Sequence, residues 1–359
     1  MYKYSAKSEN TYLHDIPIMS NFITYINMPA IMKVSVIVLT YNQEQTVARA
    51  LDSVLGQKCD YTYEIILADD CSTDSTPDIC RHYARKYPDK IRYIANSVNK
   101  GVVDNYFDCV LDARGEYIAD CAGDDFWTDE YKLQKQTELL ESNSDVVLVH
   151  TDWMYYDIKS GDMYPPSTTR KERTLFRKSL APPMSLFMPL LAQERKLGIL
   201  LNTALYRKSA FMSCYDNDPD LFRNKEFTCE DFQIIVALSR IGSIAFINCV
   251  TCCYTVNGRS VTNPGDYKAL YRQYYGSIQM HRYIQCKYNV PQSVVYNYHY
   301  RILNYLFAQA FRSGDNELRK NTLDTFKQMD VRLSLKSWIK RILSSHNTLW
   351  CLSLKLLNP

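Results

Sequence analysis

Three acidic pairs are the residues of this chain best suited to chemistry: Asp69-Asp70, Asp124-Asp125 and Glu230-Asp231. Adjacent carboxylates repel, and a divalent cation relieves that repulsion while bridging a diphosphate, so Gly123-Asp124-Asp125 is a candidate cation site. Positive charge held there would offset charge developing on a phosphate leaving group. Taken alone, Gly-Asp-Asp is also the composition of a solvated turn. Asp69-Asp70 closes an apolar run, where carboxylates can accept hydrogen bonds from a base or ribose. The Ser72, Asp74 and Ser75 that follow equally suit an Asx turn and a helix cap. Glu230-Asp231 precedes Phe232, Ile234, Ile235 and Leu238. Acids there are ordinary helix caps, or a general base placed to take a hydroxyl proton.

The elements that must position these pairs follow from hydrophobic periodicity. Lys33–Asn42 is a β-rich run whose polar end is Thr40-Tyr41-Asn42, a buried strand that delivers a loop. Within Gln43–Gln57, Val47, Ala50, Leu51, Val54 and Leu55 share one helical face. A second strand, Tyr63–Ala68, leads into Asp69-Asp70, and a helix runs to Tyr87. A third, Ile91–Ala95, precedes Asn99-Lys100-Gly101 and a helix to Asp112; a fourth, Glu116–Ala119, runs into Gly123-Asp124-Asp125. This β-α-β-α-β-α-β series predicts a mostly parallel α/β sheet with ligands beyond the carboxyl ends of its strands. All four polar loops therefore converge on one edge. Further strands are expected at Val146–Val149, Asn202–Arg207 and Ile244–Tyr254, and a flexible loop over Ser160–Lys178.

The chain has 359 residues with 42 Lys+Arg and 39 Asp+Glu, a formal charge of +3 that argues against nucleic acid as a partner. Its balance of apolar and charged residues is that of a folded protein. Of the 12 cysteines, Cys249 and Cys252 form a single CxxC pair with no second pair nearby, so reduced thiols in a strand are expected rather than a zinc site. Ile16–Met32 is broken by Pro17, Asn21, Asn27 and Pro29, which does not suit a secretory signal.

In order and spacing, Val34–Asn42, Asp69–Thr76, Gly115–Ala119 and Gly123-Asp124-Asp125-Phe126-Trp127 closely resemble glycosyltransferase family 2 over about residues 32–260. The resemblance implies a GT-A fold and an inverting, hexosyl-type transfer from a nucleotide sugar, commonly a UDP-sugar, with Mg²⁺ or Mn²⁺. By position it puts Thr40, Tyr41, Asn42, Asp69, Asp70, Asn99 and Gly101 around the nucleotide. It makes Asp124 the metal-holding acid, sets Asp125 near the donor sugar and assigns the general base to Asp231, with Glu230 beside it. Asn202-Thr203 with Arg207-Lys208-Ser209 corresponds to the acceptor side. Two departures stand out: Ala122 replaces the first acid of the metal motif, and Thr255 and Asn257 stand where relatives carry Arg and His, a loss that Arg259 can compensate. The implied role is assembly of a cell-surface polysaccharide such as lipopolysaccharide or capsule, on a glycan or lipid-linked acceptor. Ala122 also motivates a second reading, a nucleotide-sugar-binding protein of the same fold without turnover. A phospho-receiver built on Asp69-Asp70 would leave the Gly-Asp-Asp loop unexplained.

The chain divides into an N-terminal extension (1–31, with Met32 as an alternative start), a GT-A domain (32–265) and a helical, basic C-terminal region (266–359). Residues 301–359 hold ten bases and four acids, and no acidic side chain lies between Val331 and Pro359. Leu335, Trp338, Ile339 and Ile342 share a helical face. That face suits either packing on the catalytic domain or peripheral contact with a membrane. The expected location is cytoplasmic, peripheral at the inner face of the cell membrane if the second reading holds. Oligomeric state stays open.

Overall fold

The computed structural model describes residues 32–166, 174–192, 198–256 and 266–357. The extension 1–31, residues 167–173 of the expected loop, Asn257 and Arg259 lie outside the described residues. The first half alternates β1 (Val34–Thr40), α1 (Val47–Leu55), β2 (Tyr63–Asp69), α2 (Thr76–Lys86), β3 (Ile91–Ala95), α3 (Val102–Asp112) and β4 (Tyr117–Asp120). Both faces of β1 are covered. Val34, Val36 and Val38 pack with Val47, Ala50, Leu51 and Val54 of α1, while Ile37 joins Tyr106, Phe107 and Val110 of α3 on the other side. That two-sided burial is why β1 reads as a near-continuous apolar run.

The second half adds β5 (Phe126–Trp127), α4 (Lys132–Ser142), β6 (Val146–Asp157), β7 (Met163–Tyr164), β8 (Leu180–Ala181), α5 (Phe187–Ala192), β9 (Leu205–Arg207), α6 (Lys208–Asn217), α7 (Pro219–Arg223), α8 (Asp231–Ile241) and β10 (Ser243–Val256). The main sheet order is β3-β2-β1-β4-β9-β6-β10-β5. β1 pairs in parallel with β2 and β4, and β9 is inserted antiparallel between β4 and β6. Chain direction along the sheet switches at β1, flanked by β2 and β4, which is where ligands of open α/β sheets sit.

Two expectations needed revision. β6 continues to Asp157, paired in parallel with β10 as far as Val256. Asn202–Arg207 is not one strand: Leu201–Thr203 is a 3-10 turn and only Leu205–Arg207 is extended. The cause is local, since the Thr203 hydroxyl donates to Leu200 O at 2.7 Å and Asn202 donates to Asp125. Side-chain bonds of this kind compete with a ladder. All twelve cysteines are free thiols; Cys252 and Cys253 are buried in β10 and Cys249 is half-buried.

From Tyr267 onward the chain is helical: α9 (Tyr267–Lys287), α10 (Gln292–Arg312), α11 (Asn316–Gln328), α12 (Leu335–Ser344) and α13 (Asn347–Leu357). These helices share an apolar core of their own, including Tyr271, Ile278, Leu303, Phe307 and Phe326. Met280 and Ile284 of α9 also enter the core beneath the sheet. Gly276 makes the approach possible, because a Cβ there would lie 2.5 Å from Thr228 and 2.6 Å from Glu226 O. The Thr228 hydroxyl donates to Gln273 O at 2.8 Å. Helix α9 is thereby locked to the segment that leads into Glu230-Asp231.

Candidate active site

The loops after β1, β2 and β3 are tied into one edge by backbone and carboxylate bonds. Asp70 N–H donates to Thr40 O (2.9 Å), and Asn96 N–H donates to Asp69 O (2.9 Å). Asp69 is buried and forms an Asx turn, accepting from Ser72 N–H at 3.2 Å and from the Ser72 hydroxyl. Asp70 is a staple: its carboxylate accepts from Asn96 Nδ2 (3.0 Å), Lys100 N (2.9 Å) and Gly101 N (2.9 Å), and Asn99 Nδ2 donates to its carbonyl (3.1 Å). Those bonds set the Asn99–Gly101 loop. Gly101, at φ +80°, is the position where a side chain would be strained. Asn42 also stands in the left-handed region, at φ 52°, and its Oδ1 accepts from Thr73 N at 2.8 Å. Tyr41 presents a ring that is 48% exposed at this edge. The Thr40 hydroxyl is buried without a partner among the described residues, a polar atom facing the junction of loops.

The fourth loop lies against the first. Gly123 N–H donates to Leu39 O at 2.9 Å, and a Cβ on Gly123 would collide with Gln43 Oε1 at 2.3 Å. Its two acids do different work. Asp125 is buried and its carboxylate accepts from Asn202 Nδ2 (2.7 Å) and Thr255 N (2.8 Å), joining the loop to the 3-10 turn and to the end of β10. Burial, then the neighbouring Asp124, pushes its carboxyl well above the usual range. Asp124 has no side-chain hydrogen-bond partner among the described residues. Burial raises its carboxyl as well, against the pull of the Arg49 guanidinium.

Arg49 was not apparent as a site residue from the sequence. Its guanidinium lies over the rings of Phe126 (4.3 Å) and Tyr156 (4.4 Å), which meet edge to face, donates from Nη2 to the Thr255 hydroxyl at 3.0 Å and approaches Asp124 O at 3.4 Å. It thus places a cation beside Asp124, in contact with the residue that replaces the expected arginine at 255. The available clue was its position in the first turn of α1, where a cation opposes the helix dipole.

A second acidic group sits at the start of α8. Asp231 Oδ1 accepts from Phe232 N–H at 2.7 Å. Burial raises the Asp231 carboxyl, while that backbone bond and the Cys229 thiol act the other way. Burial, then Asp231, then Asp120, drives Glu230 well up, and Glu230 makes no side-chain cap. Asp120, at the end of β4, is 9% exposed; burial followed by repulsion from Asp231 pushes it up to about 7, and it feels Asp124 as well. Asp120 therefore lies electrostatically between Asp231 and the Gly-Asp-Asp loop. Behind it, fully buried Lys132 donates to Gln136 Oε1 at 2.7 Å and packs 4.5 Å from the Trp127 ring centroid. Burial lowers its ammonium to about 8. Asp120 and Lys132 were also missed by sequence reading, since each lies inside an otherwise ordinary element.

Asp120 has a measurable consequence. Its folded-state pKa is above the unfolded value, so the stability linked to its proton is complete below about pH 4 and is lost as pH rises through about 7. Asp120→Asn should therefore be more stable than the parent at about pH 8, by on the order of 2–4 kcal/mol, and nearly equal to it at about pH 4. Urea midpoints at the two pH values check this, and identical pH slopes would contradict it.

The acceptor-side residues are used structurally. Arg207 donates to the carbonyls of Leu140, Asn143 and Val146, and Lys208 donates to Leu111 O and Ala113 O at the end of α3. Among the described residues no group of three or more His, Cys, Asp or Glu is placed to hold a metal ion. Asp124 nevertheless fits a hard cation, because Mg²⁺ is commonly held by one or two carboxylates with waters and substrate phosphates. Asp125 does not, since both of its oxygens are already hydrogen bonded within the fold.

A mostly parallel α/β sheet with acidic loops at its switch point and a helix-borne acid beside them has the architecture of a GT-A sugar-nucleotide enzyme. Residues 35–210 match Glycosyl transferase family 2, and this part of the chain belongs to that family. An uncharacterized protein of Mycobacterium tuberculosis is 40% identical over 140 residues, 38% of this chain and 40% of that protein. Putative glycosyltransferase EpsE of Bacillus subtilis is 39% identical over 125 residues, 35% of this chain and 44% of EpsE. TarS of Staphylococcus aureus, solved as residues 1–349 in complex with UDP-GlcNAc, superposes with a TM-score of 0.55 at 18% identity, over 83% of this chain and 81% of that one. That likeness is one of fold. The matched stretch spans about two fifths of the length of the curated relatives.

Proposed function

We propose that the chain transfers a hexosyl group from a nucleotide sugar, a UDP-sugar, to a hydroxyl of a glycan or lipid-linked acceptor with inversion, in the building of a cell-surface polysaccharide. The observation that carries this is the meeting of the β1, β2, β3 and Gly-Asp-Asp loops at one edge, with Asp120 at the end of β4 under the charge of both Asp124 and Asp231. Tyr41 and the Thr40–Asn42 loop would face the base and ribose, with Asp69 holding the turn beneath them. Asn99, Gly101 and the stapling Asp70 form the wall beyond. Asp124 would hold Mg²⁺ or Mn²⁺, whose charge would offset that of the departing diphosphate. Arg49 adds a permanent cation at the same point, and Arg259 is the remaining candidate. The UDP-GlcNAc complex of TarS supports a UDP donor.

Asp231 is suited to take the acceptor proton. A carboxylate raised by burial is a stronger base than a solvated one, and the Phe232 N–H bond keeps one oxygen fixed. Attack of the freed oxygen on the anomeric carbon, opposite the leaving UDP, inverts that centre in one displacement. A panel of UDP- and GDP-sugars, with and without Mn²⁺, tests the reading. Metal-stimulated release of UDP from one donor, with a product of inverted anomeric configuration by NMR, is the expected result. Binding without turnover across the panel would favour the non-catalytic alternative, and binding of no nucleotide sugar would remove both.

A further inference from the structure

Helix α12 is turned inside out relative to an ordinary surface helix. Helix α12 packs on α10 with Ser337 and Ser344, each 2% exposed, directed inward, and with Lys340 half-buried beside them. Its apolar row faces out: Leu335 is 73% exposed, Trp338 52%, Ile339 45% and Ile342 43%. The first of the two readings of this row, packing on the catalytic domain, is therefore not what the fold adopts. The helix start is fixed, since Ser334 caps it by accepting from Ser337 N–H at 3.2 Å and Ser334 N–H donates to Asn304 Oδ1 at 2.8 Å. Helix α13 is anchored by an apolar residue and still leaves apolar residues outside. Trp350 is buried and donates from Nε1 to Phe311 O at 3.0 Å, while Leu349 and Leu352 stand exposed. A surface helix normally buries its apolar stripe, and a contiguous exposed one marks a binding surface.

The charge around this row identifies what it meets. Arg332, Lys336, Arg341 and Lys355 are all exposed, and among residues 331–359 there is no acidic side chain. No described helix is long and apolar enough to cross a membrane. An apolar row with a half-exposed tryptophan, on helices whose own charged side chains are all cations, complements a surface that is anionic outside and apolar just beneath. We infer that α12 and α13 form a docking face for an anionic lipid bilayer, with Leu335, Trp338, Ile339 and Ile342 entering the headgroup boundary and Lys336 and Arg341 meeting lipid phosphates. This inference does not depend on the transfer reaction proposed above.

The full chain is the material for the test, sedimented with phosphatidylglycerol–phosphatidylcholine vesicles and with phosphatidylcholine vesicles alone. Binding should be strong to the first, about tenfold weaker to the second, and reduced by added salt. Trp338→Ser with Ile339→Ser should lower partition about tenfold, and Lys336→Glu with Arg341→Glu should do so on the anionic vesicles in particular. These side chains are exposed, so unchanged circular dichroism and melting are expected for both variants. Trp127, Trp153 and Trp350 are 4–5% exposed, so a vesicle-induced blue shift in tryptophan emission reports Trp338. Absence of partition, partition indifferent to both variants, or a concentration-dependent dimer broken by Trp338→Ser without any vesicle binding would each overturn the proposal. The last result would assign the face to a second copy of the chain.

Discussion

Asp231→Asn should lower kcat by about a thousandfold while changing donor affinity little, because a general base is worth roughly 10²–10⁴ in rate and makes no demand on donor binding. The substitution is conservative here. An amide oxygen can still accept from Phe232 N–H, so the start of α8 keeps its geometry while the basic lone pair is lost. Glu230→Gln is the control, since the two acids are adjacent and both are raised by burial. A full loss in Glu230→Gln with an active Asp231→Asn would exchange their roles. The pH profile gives a second handle. In the parent, kcat/KM should rise with pH as the buried carboxyls lose protons together, as coupled groups do. Removing the neighbouring charge in Asp120→Asn should move the Glu230 part of that limb toward acid, because Asp120 is one of the charges that raise Glu230. Rates across the pH range for both variants, with isothermal titration of the donor, decide the matter.

Much of this arrangement was legible in the sequence because it rests on local rules. The run Val34–Thr40 and the helical face of Val47, Ala50, Leu51 and Val54 announce β1 and α1, and the repeated strand-loop-helix spacing places all four loops on one edge. What local rules do not carry is how each polar atom is spent. Asp69-Asp70 and Asp124-Asp125 look equivalent as text, yet Asp70 and Asp125 are consumed in stapling loops together. That division depends on partners 26 to 130 positions away. The same distance effect hid Arg49, whose ring partners lie on β5 and β6. It also turned the first half of the expected Asn202–Arg207 strand into a turn, because Asn202 is drawn to Asp125. The C-terminal row of Leu335, Trp338, Ile339 and Ile342 shows the limit from another side. Periodicity identifies an amphipathic helix but not which face it turns to the protein, and here Ser337 and Ser344 turn inward.

Asp124→Asn should cost about 10²–10³ in kcat/KM, the range seen when one preorganised charge at a leaving group is removed. Ala122 makes the expectation sharp, because it offers no carboxylate two positions before Asp124 and Asp125 is committed to Asn202 and Thr255. All of the loop's available negative charge is then on Asp124. Arg49 changes how that loss is felt. Its guanidinium rests against the edge-to-face pair of Phe126 and Tyr156 and bonds to Thr255, so its charge is in place before any donor arrives. Arg49→Met should raise the donor KM by about tenfold and deepen the dependence on added Mn²⁺, since the ion must then neutralise the diphosphate alone. Arg49→Lys should recover little of this, because a lysine cannot contact both rings and keep the bond to Thr255. Because Arg49 and Asp124 would act on the same phosphates, the double variant should lose less than the product of the two single losses. Kinetics over a Mn²⁺ series for the two single variants and the double would show this. Strict multiplicativity, with an unchanged metal requirement in Arg49→Met, would place Arg49 outside the donor site and leave it a packing role beneath Phe126.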